Sequence, residues 1–434
     1  MNINLIYPID IEVAGDKNRT ELPPLGMLYV ASSLEKFGHN VKVIGIDEDT
    51  EELPESDVDG LAITASTTYH KFKALSNRVL SKRSSVKIAG NTHSHVFPVE
   101  TLSDLSLDAV IRGEAELVLP AFLKKLEYSD SISEAASGLR GVVYLDKDGN
   151  IKSDGSVNKV EDVNSLAFPA RSLMPETSIL LENRLRGTDK LLTTFITSRG
   201  CPYSCNFCAN LNNGSVRYRS AENIRSEVEA LFDEYDSLGG LLIMDETFTL
   251  NRKHVLAVTS EFRELGIRYV ISSRADRMTP EVVGALQSSG CVEVKFGMET
   301  GSQYLLKRMN KRANLEKFKE GVRTASEGGL YTKLFLMHGF PGENEETTKE
   351  TIEMLRELSP YVRRIALYRF VPLPDSPVYD RHSDFDLHLG KDPSKYHIYH
   401  NEQHWWGTTE DFKVVQEQFL RLKDEVVHLF GKVN

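Results

Sequence analysis

The stretch Leu191-Leu-Thr-Thr-Phe-Ile-Thr-Ser-Arg-Gly-Cys-Pro-Tyr-Ser-Cys-Asn-Phe-Cys208 joins a strand-like apolar run to a loop that carries three cysteines. Cys201, Cys205 and Cys208 follow the spacing C-x3-C-x2-C. This spacing can place three thiolates on one loop around a single iron–sulfur cube. Because a 4Fe–4S cube has four irons, one iron would lack a protein ligand and would stay open for chemistry.

The same cysteines could instead bind zinc. A C-x2-C pair inside a longer cysteine run is a common zinc pattern, but structural zinc sites take four ligands. The fourth cysteine, Cys291, lies far downstream, and His93, His95 and His254 do not complete a zinc spacing. The ligand count therefore favours the cluster.

The chain has 434 residues, of which 40% are hydrophobic, and a formal net charge of -11. Its length and composition predict two or three domains with substantial cores. The acidic balance disfavours a broad nucleic-acid-binding face, while a local basic pocket for one phosphate is compatible with it. Four cysteines give no disulfide framework, and no signal sequence or membrane span is apparent. We therefore expect a cytoplasmic protein.

Residues 1–152 alternate short apolar strands with helical stretches, which predicts a parallel sheet with helices on both faces. Ligands of such sheets bind at the carboxyl ends of the strands, although no G-x-G-x-x-G follows the first strand here. Residues 153–190 show weak periodicity and are predicted to connect two domains. The predicted strands are Ile3–Tyr7, Val41–Ile46, Gly60–Thr64, Val86–Ala89 and Ala109–Ile111, with a hairpin from Gly141.

Residues 191–374 contain six apolar strand candidates with helices between them. Six strand–helix units predict a partial barrel, since a full barrel needs eight, and the cysteine loop follows the first strand at the end where barrels keep their chemistry. The candidates are Leu191–Thr197, Leu241–Met244, Tyr269–Ser272, Val292–Phe296, Lys333–Met337 and Ile365–Phe370.

The tail, residues 375–434, has a different composition. Five scattered histidines precede Trp405-Trp406 in it, and it ends in a stretch with helical spacing. Histidines at such irregular spacing are more typical of surface or packing residues than of metal ligands. We expect a helical extension that covers the active site, in which the tryptophans pack against the barrel or line a substrate pocket. The histidines are His382, His388, His397, His400 and His404.

The cysteine loop and the strand-end motifs resemble the radical S-adenosylmethionine (SAM) superfamily, and within it the cobalamin-binding branch. The matching barrel motifs are Met244–Thr249, Ser272–Asp276, Gly297–Ser302 and His338–Glu343. The resemblance extends from Asn2 to about Tyr379. It implies an α/β protein with an N-terminal Rossmann-like cobalamin-binding domain, a radical SAM partial (β/α)6 TIM barrel and a C-terminal helical extension.

In that superfamily SAM chelates the open iron of the 4Fe–4S cluster. The resemblance therefore implies a SAM site formed by Phe207, Asp245, Glu246, Ser272, Arg274, Glu299 and Gly339. Two alternatives stay open from the residues alone. Asp245 or Glu246 could anchor a loop, and Arg274 could pair with Asp276 or Asp245. Cys291 is interpreted as a buried packing residue.

The first domain also matches the branch, at Pro23–Gly26, Ala89–His93, Pro98–Glu100 and Val110–Glu116. The resemblance implies a cobalamin site formed by Pro24, Leu25, Gly26, Thr64, Ser66, Thr67, Gly90, His93, Gly113 and Glu114. The chain departs from the family where Gly-Gly is replaced by Gly90-Asn91, and D-x-H-x-x-G is absent. No histidine is therefore expected as the lower ligand of the cobalt. His70 and His93 are the remaining candidates for that position.

The resemblance implies a methyltransferase that acts on an unactivated carbon of a small molecule through a 5′-deoxyadenosyl radical and methylcobalamin. An external electron donor of flavodoxin or ferredoxin type would serve it. No catalytic residue is assigned. The alternatives are a cyclase or rearrangement enzyme with the same cofactors, a methylthiotransferase, and a non-catalytic sensor. A methylthiotransferase usually carries extra N-terminal cysteines, which the first 200 residues lack.

Overall fold

The computed structural model describes residues 1–9, 22–63, 69–181, 190–209, 214–389, 406 and 412–433. The predicted cobalamin residues Thr64, Ser66 and Thr67 lie outside these ranges, as do His397, His400, His404 and Trp405 of the tail. The chain divides into two compact units, the first ending at Ile179 and the second starting at Leu180.

The first unit contains one seven-stranded sheet in the order β2-β1-β3-β4-β5-β6-β7. Strands β1 to β5 are parallel, and β6 and β7 extend the sheet antiparallel. This is the doubly wound order with a switch point between β1 and β3, where such sheets bind ligands. The strands are β1 (Asn2–Pro8), β2 (Asn40–Ile46), β3 (Val58–Ala62), β4 (Val86–Gly90), β5 (Ala109–Ile111), β6 (Val142–Leu145) and β7 (Ile151–Lys152).

Helices cover both faces of this sheet because its strands are apolar on both sides. In β1, Ile3 packs in a core with Met27 of the first helix, whereas Ile6 packs in a second core with Phe72. Such two-sided burial is typical of parallel sheets and confirms the predicted fold class. The helices are α1 (Leu25–Lys36), α2 (Tyr69–Leu80), α3 (Thr92–Val96), α4 (Pro98–Asp104), α5 (Val118–Leu126), α6 (Ile132–Ala136) and α7 (Glu176–Ile179).

The segment predicted as a linker packs, up to Ile179, within the first unit. Val160 and Val163 are buried, and the backbone N–H of Ala170 donates to the carbonyl of Leu28 at 3.1 Å. Short 3₁₀ turns replace long helices here, which explains why the sequence shows no periodicity.

The second unit contains six parallel strands in the order β15-β14-β13-β12-β11-β8, each beside its neighbour in the chain, and a small β9–β10 ribbon. All six predicted barrel strands are confirmed. The strands are β8 (Leu191–Phe195), β9 (Ser198–Arg199), β10 (Arg217–Tyr218), β11 (Leu238–Ile243), β12 (Arg268–Ser273), β13 (Cys291–Glu299), β14 (Tyr331–His338) and β15 (Arg364–Arg369).

Helices alternate with these strands and begin at recognisable caps. The Ser220 side chain accepts the Asn223 N–H, and Thr279 caps a helix whose first residue is Pro280, both as the sequence predicts. The helices are α8 (Ala221–Glu234), α9 (Arg252–Leu265), α10 (Pro280–Ser288), α11 (Gln303–Arg308), α12 (Leu315–Glu327), α13 (Glu345–Leu358), α14 (Pro377–Asp380) and α15 (Phe412–Phe430).

The two faces of the six-stranded sheet have different neighbours. On the outer face, Phe296 of β13 contacts Phe318 of α12, and Arg369 of β15 stacks on Phe419 of α15 at 3.8 Å. Because side chains alternate along a strand, the residues between these point to the concave face of the half-barrel. On that face, Leu192, Leu242, Val270 and Val292 form an apolar cluster with Leu181.

The described part of the tail has two locations. Phe385, Leu387 and Trp406 join a core with Phe340 and Phe370, so Trp406 is used for packing. Helix α15 lies along α13 and β15 on the flank of the barrel, where Arg356 pairs with Glu425 and Arg421 with Glu345. Across the described ranges, the helices lack the length and apolarity that crossing a membrane requires.

Candidate functional site

The cysteine loop lies at the carboxyl end of β8 and is fixed on its far side. The Asn206 N–H donates to the carbonyl of Met309 at 2.8 Å, and its side-chain amide donates to that of Arg308 at 2.8 Å. Within the loop, the Cys208 N–H donates to the carbonyl of Cys205 at 3.1 Å. These contacts join the loop to the end of α11, across the mouth of the half-barrel.

The three thiols are half-buried, free of disulfides and close enough to influence one another's ionisation. Burial and, to a smaller degree, the charges of Cys205 and Cys201 raise the pKa of Cys208 to about 12, while Lys311 opposes the shift. A bound metal would deprotonate such thiols outright. No three His, Cys, Asp or Glu in the described ranges converge as the ligands of a single metal ion do. Three thiolates on a cube each bind a different iron, so this spread is compatible with a cluster.

Asp245, predicted from the resemblance to bind SAM, is engaged in fixing the approach to the cysteine loop. Its carboxylate is buried, with 2% of the residue exposed, and accepts from the Thr197 N–H at 2.7 Å. It also accepts from the hydroxyls of Thr197 and Ser198, each at 2.6 Å. Burial raises the pKa of Asp245 against the opposing effect of these hydrogen bonds. The contacts fit the loop-anchoring alternative.

His254 extends this hydrogen-bonded group. Its Nε2 lies 3.1 Å from the Thr197 hydroxyl, and its ring contacts that of Tyr218 at 4.7 Å between centroids. Burial lowers the pKa of His254 to about 4, so the ring is neutral at physiological pH. Since the Thr197 hydroxyl donates to Asp245, the His254 N–H is the donor to Thr197. The neighbouring Glu246 is exposed and accepts the Gly200 N–H at 3.2 Å, directly before Cys201.

Arg274, predicted to pair with the SAM carboxylate, makes the alternative salt bridge. It binds Asp276 through two nitrogens, at 3.1 and 2.8 Å, and donates to the carbonyls of Lys311 and Arg312. Its guanidinium also lies 4.3 Å from the ring centre of Tyr203, in the cysteine loop. Most of its donors are therefore occupied by the protein.

Glu299 forms an ion pair with a lysine that the sequence analysis missed. The Lys311 ammonium lies 2.7 Å from Glu299 Oε1 and 5.6 Å from the ring centre of Phe207, and Lys311 is only 8% exposed. A Cβ on Gly297 would lie 2.5 Å from Glu299 Oε1, so the pair occupies the concave face above that glycine. Lys311 comes after α11 in the chain rather than after a strand. The expectation that ligands bind at the carboxyl ends of strands therefore does not point to it.

The remaining predicted SAM residues lie on the same rim. Ser272 is half-buried on β12, and Phe207 is half-buried at the edge of the core that contains Trp406. Gly339 follows β14 with a φ of +95° and donates its N–H to Glu343 at 2.6 Å. Burial raises the pKa of Glu343 to about 8. A left-handed glycine is well suited to a turn that lets backbone approach a ligand.

In the first unit, the described cobalamin candidates all follow parallel strands at the carboxyl edge. Pro24, Leu25 and Gly26 open α1 after β1, Gly90 ends β4, and Gly113 and Glu114 follow β5. Gly26 has no atom within 4 Å of where a Cβ would lie, whereas Gly113 packs against the carbonyl of Asn158. The Glu114 carboxylate accepts the Val160 N–H, so it helps to hold this edge.

His93 lies in a packing position. Its ring stacks on Tyr69 at 3.7 Å and contacts Phe97 at 5.3 Å, with 2% of the residue exposed. Burial lowers the pKa of His93 to about 4. A neutral ring sandwiched between aromatic rings is placed for core packing rather than for a cobalt ligand, and His70 is exposed on α2.

Two family models match the chain, one over each unit. The model for the Radical SAM superfamily matches residues 195–355, and the model for the B12 binding domain matches residues 11–123. The chain belongs to the B12-dependent radical SAM family. This confirms the resemblance found in the sequence, and the 4Fe–4S cluster, SAM and cobalamin are the cofactors that the family uses.

Individual relatives span most of the chain. An uncharacterized methyltransferase of Pyrococcus horikoshii is 27% identical over 372 residues, covering 82% of this chain and 78% of its own. The anaerobic magnesium-protoporphyrin IX monomethyl ester cyclase of Cereibacter sphaeroides is 24% identical, covering 88% of this chain and 64% of its own. Among solved structures, the radical SAM methyltransferase TsrM of Kitasatospora setae, with cobalamin and a [4Fe-4S] cluster bound, has a TM-score of 0.71 at 14% identity, covering 99% and 88%. That likeness supports the fold.

Proposed function

We propose that the protein is a cobalamin-dependent radical SAM methyltransferase that acts on an unactivated carbon of a small molecule. The observation that carries this proposal is the combination of two sites in one chain. The three-cysteine loop lies at the mouth of a six-stranded half-barrel, and a separate sheet of order 2-1-3-4-5 matches the B12 binding domain.

The side chains present fit the two barrel cofactors. Cys201, Cys205 and Cys208 would hold the cluster and leave one iron open. The concave face beside them offers a carboxylate, Glu299, and a buried ammonium, Lys311, only 2.7 Å apart. The methionyl end of SAM carries an ammonium group, which needs an acceptor, and a carboxylate, which needs a cation. The Glu299–Lys311 pair offers both. Lys311 therefore takes the role that the sequence analysis gave to Arg274.

When bound, the cluster and SAM supply a radical that removes a substrate hydrogen, and cobalamin carries the methyl group. The protein's own contribution is to hold and orient. Asp245 and Thr197 fix the entry to the cysteine loop, Asn206 fixes the loop between Cys205 and Cys208, and the Glu343–Gly339 hydrogen bond fixes the turn after β14. Rigid support of this kind sets the distances on which hydrogen abstraction depends.

An electron must come from outside the chain. The fourth cysteine, Cys291, is buried in β13, and burial raises its pKa far above the usual value, so it serves packing. A second cysteine-held cluster therefore has no ligands here, and we propose an external donor of flavodoxin or ferredoxin type.

Four free thiols suit a reducing compartment, which supports the cytoplasm as the location. Because the chain is acidic, we propose no nucleic-acid partner for it.

One relative favours a second candidate function. The matched Cereibacter sphaeroides protein, 24% identical to this chain over 402 residues, is a cyclase. Product mass separates the two candidates, because methyl transfer adds a methyl group and ring closure removes hydrogens.

The proposal is tested by anaerobic reconstitution with iron, sulfide and cobalamin, followed by reduction in the presence of SAM. We expect an iron–sulfur and a cobalamin absorption spectrum, and formation of 5′-deoxyadenosine. Cys205→Ala should lose 5′-deoxyadenosine formation and keep cobalamin, while Cys291→Ala, the matched control, should keep both. Undiminished SAM cleavage in Cys205→Ala would contradict the assignment.

A further inference from the structure

The exposed side of the cysteine loop is contacted by two segments that come later in the chain. The Arg277 guanidinium donates to the Tyr203 hydroxyl at 2.9 Å, and the Asn310 side-chain amide donates to the Ser204 carbonyl at 2.8 Å. Residues 200–214 carry no charged side chain themselves. The electrostatic potential around the loop therefore depends on the charges of the segments that contact it.

The two segments, 274–277 and 303–312, are cationic in a chain whose formal net charge is -11. Residues 303–312 contain four cations and no carboxylate, and residues 274–277 contain two arginines and one aspartate. Within the described ranges only two of the six cations form ion pairs, Arg274 with Asp276 and Lys311 with Glu299. The surface beside the loop is thus positive, opposite in sign to the chain as a whole. The six cations are Arg274, Arg277, Lys307, Arg308, Lys311 and Arg312.

Three of the four remaining cations are exposed, and together they are here called the basic collar. They are Arg277, Lys307 and Arg312. The fourth, Arg308, is half-buried, and its Nε donates to the Pro341 carbonyl at 2.8 Å. Long exposed cations keep their charged ends in water, so a partner that arrives from solution meets the collar first.

Two members of the collar are fixed near the cysteine loop through their backbone. The Asn206 side-chain amide donates at 2.8 Å to the carbonyl of Arg308, which follows the collar's lysine. The carbonyl of Arg312 accepts a hydrogen bond from Arg274 at 3.0 Å. The Arg274 guanidinium in turn lies 4.3 Å from the ring centre of Tyr203. The whole collar therefore lies beside the part of the loop that contains the first two cysteines.

A third segment in contact with the loop has a different character. The Val378 N–H donates to the Asn206 carbonyl at 2.9 Å, and an Arg381 nitrogen lies 3.3 Å from the side-chain oxygen of Asn206. Exposed Asp380 and Asp384 lie close to Arg381 in the chain. This segment adds no net positive charge and is not part of the collar.

The cysteine loop brings its thiols close to the surface beside the collar. Pro202 and Ser204, which lie between Cys201 and Cys205, are exposed, and both cysteines are half-buried. A cluster bound by these thiolates would lie behind one short loop. Because the rate of electron transfer falls steeply with distance, a donor protein must dock close to such a place.

We infer that the basic collar is the docking surface of the external electron donor, and that this donor is an acidic redox protein. The inference rests on the proposed function, because it assigns a surface to the electron transfer that this function requires. In each encounter the reduced donor loses one electron and the cluster gains it. No proton moves, and no bond forms or breaks, in this step.

Charge complementarity favours such a partner. Opposite charges on two proteins raise their association rate by roughly ten- to a thousandfold, and salt screens the effect. Transient redox complexes have small interfaces, a size that suits three cations beside an exposed loop. A nucleic acid would need a broader basic face than the collar, and the rest of this acidic chain would repel it.

The first test measures binding without electron transfer. Oxidised flavodoxin, an acidic FMN protein, is titrated into the reconstituted full-length protein at low ionic strength, and oxidised plant-type ferredoxin is used in a separate arm. We expect saturable binding of at least one donor, which weakens as salt is added. The collar variant Lys307→Glu/Arg312→Glu should bind at least about tenfold more weakly, because two attractions become repulsions.

The matched control is the double variant Arg363→Glu/Lys432→Glu. Both residues are exposed. Arg363 precedes β15, and Lys432 precedes Val433, which pairs with Ile365 near the amino end of that strand. The control makes the same change in charge at the opposite end of the parallel strands from the cysteine loop, and it should bind like the unaltered protein.

The second test compares two reductants in the formation of 5′-deoxyadenosine. With the reduced donor protein, the collar variant should react at least about tenfold more slowly than the unaltered protein. With photoreduced deazariboflavin, a small uncharged reductant that needs no docking surface, the two proteins should react alike. A general defect of the cluster site would instead slow both reactions.

Four results would overturn the inference. They are equal binding by the collar and control variants, no binding of either donor, equal loss of rate with both reductants, and tighter binding of a DNA duplex than of either donor. Failure of the proposed function is distinguishable, because it would appear as missing iron, or as missing 5′-deoxyadenosine with deazariboflavin in the unaltered protein. Circular dichroism and iron content, measured on every variant, confirm that the compared proteins are folded and loaded.

Discussion

Replacement of Asp245 by asparagine tests whether this buried carboxylate fixes the approach to the cysteine loop. Its two oxygens accept three hydrogen bonds, from the Thr197 N–H at 2.7 Å, the Thr197 hydroxyl at 2.6 Å and the Ser198 hydroxyl at 2.6 Å. An asparagine keeps one acceptor oxygen and turns an N–H2 group toward the remaining donors. Hydrogen bonds to a charged acceptor contribute about 1.5–3 kcal/mol each, so loss of one or two predicts a fall in unfolding free energy of about 2–4 kcal/mol.

The assay is urea unfolding of the apoprotein at pH 7, followed by iron analysis after reconstitution. Asp245→Asn should lower the unfolding free energy by the stated amount and reduce iron incorporation, because Thr197 and Ser198 lead directly into the cysteine loop. Asp233→Asn, on the exposed side of α8, is the matched control and should leave both unchanged. The reasoning is refuted if the two variants differ by less than about 0.5 kcal/mol, the usual range of surface substitutions.

Three further perturbations address other parts of the second unit. Burial raises the pKa of Glu343 to about 8, so the folded state keeps a proton that the unfolded state releases near pH 4.5. The free energy of unfolding should therefore fall by up to about 4 kcal/mol as the pH rises from 5 to 9, and Glu343→Gln should remove this pH dependence. The same pH dependence of urea unfolding in the unaltered protein and in Glu343→Gln would contradict this reasoning. Gly321→Ala places a Cβ 1.9 Å from the Ala275 carbonyl oxygen and should cost about 2–3 kcal/mol in the same assay, and no loss would show that α12 can shift freely. Lys311→Met removes the partner of Glu299 and should weaken SAM binding at least about tenfold in equilibrium dialysis of the loaded enzyme. Unaltered affinity would show that another cation binds the SAM carboxylate.

The architecture could be predicted from the sequence because each strand carries its own signal. The six barrel strands are continuous apolar runs separated by capped helices, and the parallel order follows from chain order once helices fill every gap. The segment 153–179 could not be placed in the same way, since its turns are fixed by individual contacts such as the Ala170–Leu28 hydrogen bond. The short helices α3 and α4 were missed for a related reason, because each spans less than two full turns and shows no period.

The site could be predicted only at the level of which strand ends contribute to it. A motif names residue types, but it does not decide whether a carboxylate faces a ligand or a neighbouring loop. Asp245 and Arg274 illustrate this limit, because both are engaged by protein partners that are distant in sequence or on an adjacent turn. Lys311 shows the converse. Its importance arises from burial beside Glu299 and the cysteine loop, which only the folded chain reveals.

Mössbauer spectroscopy of the full-length protein, reconstituted anaerobically with iron-57, tests the central claim most directly. The account predicts four irons per chain in one cube held by Cys201, Cys205 and Cys208, with the signal of a single iron changing when SAM is added. It is contradicted if the protein retains no iron, if elemental analysis finds zinc on those thiolates, or if all four irons respond to SAM alike.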